Sequence, residues 1–312
     1  MVACDRHDMG LAMKPRAALA CLLVLLAGCN APVSASRSAG IRSIGVLSTC
    51  AGDRLHVVPS GLFGGSLDAA VPDWNVDAAI AAVAKAALAQ RYVVVDAELD
   101  GTGGLLVPGQ TGSRVRPGAL RTPRTVDAYL IFTAYRDAPS LEGPVYVDSG
   151  SFSAYAGAGL RGTLSGGAAG TACFARVVDA RTFETLGLKD RLTYVAAEGI
   201  AVYATWQEYS APARERIRAL VLQAAEEGAA QQVSDLGLAT EGAGGTISLG
   251  EDTFIVTKGR PIWLGGAAGA RSAIEEAARE TCARRGLRPR PIVEMSPRMV
   301  EYYMKFQCVA AG

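Results

Sequence analysis

The stretch that first limits what this chain can fold into is Met13–Cys29, MKPRAALACLLVLLAGC. Lys14 and Arg16 stand before an uncharged, mostly apolar run, Ala17–Leu26. As a helix this run rises about 15 Å, half of a ~30 Å hydrocarbon core, so it is too short to span a bilayer. Positive charge, a short apolar run and then small residues form the pattern of a cleavable export signal. The folded part is therefore expected to begin near residue 29. Residues 1–12 carry Asp5 and Asp8, which the cationic start of such a signal disfavours, so Met13 is expected to be the initiator.

The run ends Leu26-Ala27-Gly28-Cys29, and this resembles the lipobox of bacterial lipoproteins. Small residues let the chain enter a narrow peptidase site, and only a nucleophilic thiol accepts a diacylglyceryl group. The resemblance implies removal of residues 1–28 and lipidation of Cys29, with palmitate-type chains, as the new first residue. Asn30, where an Asp would favour retention in the inner membrane, implies the outer membrane, on the side facing the periplasm. Removing residues 1–28 takes away Arg6, Lys14, Arg16, Asp5 and Asp8, and leaves acidic and basic residues equal in number. Lipid rather than net charge must then hold the protein to the membrane, each buried methylene contributing about 0.8 kcal/mol. A near-neutral chain also excludes a polyelectrolyte nucleic-acid partner.

Of seven cysteines, Cys4 and Cys21 leave with the leader and Cys29 takes lipid. Cys50, Cys173, Cys282 and Cys308 remain, and export exposes them to an oxidising compartment. Four cysteines allow three connectivities. Cys282–Cys308 is the preferred pair, because both fall in the last 60 or so residues, one near a helix end and one in the final strand. Cys50–Cys173 follows by elimination; buried free thiols are the alternative.

Asn30–Gly40 is small and polar, and residues 29–41 are expected to be a flexible tether. Residues 41–58 suggest two short strands joined at Ala51-Gly52-Asp53. Asp73 or Asn75 should cap a helix to about Gln90, with Val76, Ile80, Val83 and Ala87 on its apolar face. Strands are expected at 92–95, 126–135, 152–160, 171–179 and 188–195, with residues 100–124 as a loop. A helix is expected over 211–235, with Ile217, Leu220, Val221 and Ala224 at helical spacing. The Gly-rich segment 240–250 is the expected linker between domains 42–239 and 251–312. The second domain reads β-α-β-β, its helix ended by Gly286. The fold class is α+β: two units, each a mainly antiparallel sheet with helices on one face.

Ala172–Leu186 contains a strand, an Asp179-x-x-Thr182 turn and a second strand. In this and in layout the larger unit resembles the TolB amino-terminal and curli-export (CsgG-like) class of envelope domains. The inserts at 100–124 and 137–151 depart from that class, and no membrane-hairpin segments are recognisable, so pore formation does not carry over. Asp252–Val256, Cys282-Ala-x-x-Gly286 and Phe306-x-Cys308 resemble a small terminal domain of uncharacterised proteobacterial lipoproteins, which implies no activity.

Candidate chemistry is sparse. Gly157, Gly159 and Gly162 spell G-x-G-x-x-G, but a phosphate cradle needs a helix start directly afterwards, and here a strand follows. A glycine-rich hairpin is expected instead. After the leader, His56 is the only histidine, too few for a zinc hydrolase, and it has no nucleophile motif beside it. Glu275/Glu276 and Glu226/Glu227 are sequence neighbours on helices, so they diverge by about 100° and read as solvated faces. Arg114, Arg116, Arg121 and Arg124 make a candidate anion-binding loop; the competing reading is a solvated loop. Tyr129, Phe132, Tyr135, Tyr146, Phe152 and Tyr155 read as core packing rather than a sugar platform. No catalytic residue, cofactor or metal site is marked. The expected role is a membrane-anchored, non-catalytic binding or assembly module with an envelope protein partner. The alternatives are a cell-wall or glycan-acting enzyme, and a self-assembling component of an export complex.

Overall fold

Ala128–Ala134 is apolar except for Tyr129 and Thr133, and all seven residues are buried. Such a strand needs cover on both faces. In the computed structural model helices cover one face and two short ribbons cover the other. The structure describes residues 31–52, 54–58, 67–100, 104–109, 112–134, 157–163, 166–197, 199–200, 203, 205–239, 245–250, 252–259, 266–297 and 301–310. The leader, Cys29, the insert 137–151, Tyr135, Tyr146, Phe152 and Tyr155 lie outside them.

The elements are α1 (Ala35–Ser38), β1 (Ser43–Thr49), β2 (Arg54–Val58), β3 (Leu67–Ala70), α2 (Val76–Leu88), β4 (Val93–Asp96) and β5 (Glu98–Leu99). They continue with β6 (Leu106–Gly109), β7 (Gly112–Val115), β8 (Leu120–Arg121), β9 (Ala128–Ala134), β10 (Gly157–Thr163), β11 (Gly166–Asp179) and β12 (Thr185–Ala197). The last are α3 (Ala211–Asp235), β13 (Thr246–Ser248), β14 (Thr253–Gly259), α4 (Gly266–Ala283), β15 (Leu287–Pro297) and β16 (Glu301–Ala310). The fold is α+β, as expected.

The main sheet is built around β11. One edge of β11 pairs antiparallel with β12 along almost its whole length. The other edge pairs with β10 over Gly166–Ala172 and with β9 over Cys173–Asp179. Ala134 and Gly157 thus face the adjacent residues Cys173 and Ala172, and the chain leaves and re-enters one strand line there. Outside β9 and β10 lie β1 then β4, and β2 then β3. β1 runs parallel to both neighbours and β2 parallel to β10, so the sheet is mixed. The two strands of residues 41–58 are therefore not a hairpin: β1 and β2 find different partners farther along the chain.

Leu130 and Phe132 point to α2 and α3, whereas Tyr129 and Ile131 point to a second cluster with Ala97, Val115 and Leu120. That cluster explains the fate of residues 100–124. Read as a loop, they supply β8, which pairs with β5, and the ribbon β6–β7, because the back of a fully apolar strand has to be kept from water.

The small sheet runs β13-β14-β16-β15, all antiparallel. Strand alternation sorts its side chains. Phe254, Val256, Met304 and Phe306 face α4, with Ile274 and Cys282. Ile247, Ile255 and Tyr303 face the other way and join the core of α2 and α3. The layers are therefore main sheet, α2 with α3, small sheet, α4. Gly286, at φ +69°, ends the last turn after α4. Thr246–Ser248, expected within the linker, is a paired strand of this sheet, which gains it a fourth member.

Residues 31–41 are not a free tether. Ala31 and Leu188 exchange backbone hydrogen bonds of 3.0 and 2.9 Å on the outer edge of β12, and Val33 N donates to Leu236 O at 3.1 Å. Val33 and Ile41 are buried. Gly187 makes room: a Cβ there would lie 2.8 Å from Val33 Cγ2. An exposed strand edge and an apolar side chain with a matching hollow outweigh the small polar composition that predicts freedom.

Candidate functional site

Two ends of the molecule carry distinct chemistry. At the base, β1, β4 and β9 begin, β11 turns into β12, and α2 and α3 finish. Asp127 closes this end: its Oδ2 accepts from Arg42 N, Ser43 N and Ser43 Oγ, each at 2.9 Å. Its carboxyl is held below the usual range, chiefly by the Arg42 backbone bond, against a smaller cost of burial. Asp179 in turn accepts from Arg181 N and Thr182 N at 2.8 Å, and the Thr182 bond is the main cause of its lowered pKa. Arg181 lowers both. Arg37 pairs with Glu184 at 3.4 Å, and Arg91 donates to Gly237 O at 3.4 Å. Arg37, Arg42, Arg91, Arg124 and Arg181 are all exposed.

At the N-terminal ends of α2 and α3 sits an aromatic corner. Trp74 precedes α2, and Trp206 and Tyr209 precede α3. The Trp74 and Trp206 rings meet edge-on at 6.0 Å, and Tyr203 meets Tyr209 edge-on at 5.0 Å. Tyr209 Oη accepts from Tyr203 N at 2.9 Å, and burial pushes its hydroxyl pKa up. Arg214 lies over the Trp206 ring at 5.3 Å. Trp74 and Tyr209 are buried, Trp206 is half-buried and Tyr203 is 40% exposed. Trp, Tyr and Arg at a partly exposed corner have the composition of a protein-binding hot spot. Sequence reading missed this group because Trp74 stands more than a hundred residues before Tyr203, Trp206, Tyr209 and Arg214.

The residues singled out from sequence fall as follows. Cys50 and Cys173 are at bonding distance with Cα atoms 5.7 Å apart, and so are Cys282 and Cys308, at 5.2 Å. Cys50 reaches β11 where the β9–β10 strand line is interrupted. Asp77 steadies that approach, accepting from Cys50 N at 2.8 Å and Gly52 N at 2.7 Å. His56 is half-buried in β2, between β10 and β3. Gly157, Gly159 and Gly162 all lie in β10, with no helix after them. Arg121 Nε and Nη2 donate to Glu98 Oε2 at 3.2 and 2.9 Å, and Arg116 Nε donates to Gly104 O at 3.0 Å. Arg114 and Arg124 are exposed, Arg114 on β7 and Arg124 ahead of β9. Two of the four arginines are thus occupied within the ribbons, and Arg124 belongs to the base.

Tyr129 and Phe132 are buried core, as expected. Glu275 and Glu276 are exposed. Glu226 and Glu227 are not a solvated face: Glu226 pairs with Lys305 of β16 at 2.7 Å, and Glu227 is buried, accepting from Gln223 at 2.9 Å. The small sheet lies over α3, so Glu227 is shut from water and Glu226 is only partly exposed. Between α3 and the main sheet a polar seam runs past Thr171, Arg191, Thr193 and Gln232. It leaves no room for a water molecule and so is packing, not a ligand cavity. Among the described residues no group of three or more His, Cys, Asp or Glu could hold a metal, and no helix is long and apolar enough to cross a membrane.

No protein-family model, curated protein or solved structure matches the chain.

Proposed function

We propose that this is a lipoprotein of the bacterial envelope, anchored through Cys29 and facing the periplasm. In this reading it is a non-catalytic binding or assembly module, and Asn30 favours the outer membrane. The observation that carries the reading is the arrangement of the two ends. Ala31, two residues after the proposed lipidated cysteine, is bonded to β12 near the C-terminal ends of α2 and α3. The aromatic corner stands at their opposite ends, away from the anchor. A bilayer at one end leaves Tyr203 and Trp206 presented to a protein partner. Both cysteine pairs at disulfide spacing suit an oxidising compartment.

The test is palmitate labelling in cells with membrane fractionation. The expected result is a labelled, membrane-bound protein that loses label in Cys29→Ser; label surviving that change sinks the anchor. A purified protein that turns over peptidoglycan or a glycan would replace the binding role with an enzymatic one.

A further inference from the structure

We infer that the base of the main sheet lies directly on the bilayer, with its exposed arginines among anionic phospholipid headgroups. This rests on the anchor at Cys29 and goes further, because it names the surface that meets the membrane. Adjacent Cα atoms are 3.80 Å apart, so Cys29 lies at most about 7.6 Å from Ala31. Ala31 is itself held to Leu188 by two backbone bonds, and Val33 to Leu236 by a third. The headgroup layer on one side of a bilayer is about 5–8 Å deep. A lipid carried by Cys29 therefore holds the β12 edge around Ala31, and with it the nearby base, within about one headgroup depth of the layer. A flexible tether would have left the distance from the bilayer open; the docked segment limits it, and charge then selects the face.

The charge of this surface fits such a position. Arg42, Arg91, Arg124 and Arg181 are exposed there, alongside Arg37, whose partner Glu184 is the exposed acid of the group. Asp127 and Asp179 also stand at this end, but both are half-buried and turned onto backbone N–H groups. The protein has no net charge once the leader is gone, yet its base presents a local excess of guanidinium groups. Guanidinium forks match phosphate oxygens. Arginines close to an anionic leaflet each strengthen partitioning by about fivefold. The lipid supplies the attachment and the arginines set the tilt.

The test uses the lipidated protein in vesicles of phosphatidylethanolamine with or without phosphatidylglycerol. A benzophenone side chain is placed at Ala39, exposed beside the docked segment, or at Gln207, exposed beside Trp206. Ala39 is expected to cross-link phospholipid at least fivefold more than Gln207. Omitting phosphatidylglycerol, or the double change Arg42→Gln and Arg124→Gln, should reduce that yield about fivefold or more while the melting temperature holds. Equal yields from the two positions, yields indifferent to both charge changes, or cross-links from Ala39 to a second copy of the chain overturn the inference. Palmitate labelling of the same protein separates the two levels. An unlabelled protein removes the anchor and this inference together, whereas a labelled protein whose Ala39 probe meets no phospholipid removes this inference alone.

Discussion

Asp127 shows how much of the base depends on one carboxylate. It gathers the start of β1 through three bonds, and its partner Ser43 is 84 positions away in sequence. That separation is why nothing in the sequence marks it. The Asp179-x-x-Thr182 turn, by contrast, is legible, because its bonds run two and three residues ahead. Both carboxyls have pKa values below the unfolded ~3.9, so their stabilisation is complete above about pH 5 and is lost as pH falls through the lowered values. Thermal melts should show stability falling below about pH 4. Asp127→Asn should weaken that acid dependence and cost about 1–2 kcal/mol at neutral pH; an unchanged pH profile would remove this account. Gly187 is the other decisive residue. Gly187→Val should push Val33 out of its hollow at a cost of about 1–3 kcal/mol. Hydrogen exchange at the Ala31 and Val33 amides should accelerate, and amides that stay protected would show the docked segment is held by something else.

At the scale of elements, α3 is where the sequence is most and least readable. Its bounds, Ala211–Asp235, follow from Ser210 before Pro212 and from the spacing of Ile217, Val221 and Ala224. Its burial on two faces does not follow, because the small residues Ala225, Gly228, Ala229 and Ala230 give no strong stripe; they allow close packing instead. The small sheet uses that second face, and Glu226 meets Lys305 across it. Both side chains are 20–30% exposed, so a double-mutant cycle with Glu226→Gln and Lys305→Met should give a coupling of about 1 kcal/mol, weaker at high salt. The Cys282–Cys308 pair spans 26 residues and joins α4 to β16. Replacing both by Ala should cost about 3–4 kcal/mol in denaturant unfolding under oxidising conditions. No loss would mean the thiols are unbonded in the folded protein.

For the whole molecule, the class of fold was readable and its connections were not. Apolar runs such as Ala128–Ala134 and Phe254–Val256 announce strands. Whether a strand pairs parallel or antiparallel depends on partners remote in sequence, and β1 carries no local sign that both its neighbours run parallel to it. Residues 240–250 read as a linker between two domains, yet Ile247, Ile255 and Tyr303 share one core with α2 and α3. Calorimetry should therefore show a single cooperative transition, and a separate early melting of residues 246–310 would divide the molecule in two. One feature of the main sheet also has a practical use. Because Ala134 and Gly157 oppose adjacent residues of β11, the ladder continues as though the detour between them were not there. A fluorescent reporter, an affinity epitope or a shortened bypass spliced into that detour should leave the ladder intact, giving the protein an internal handle that neither terminus has to provide.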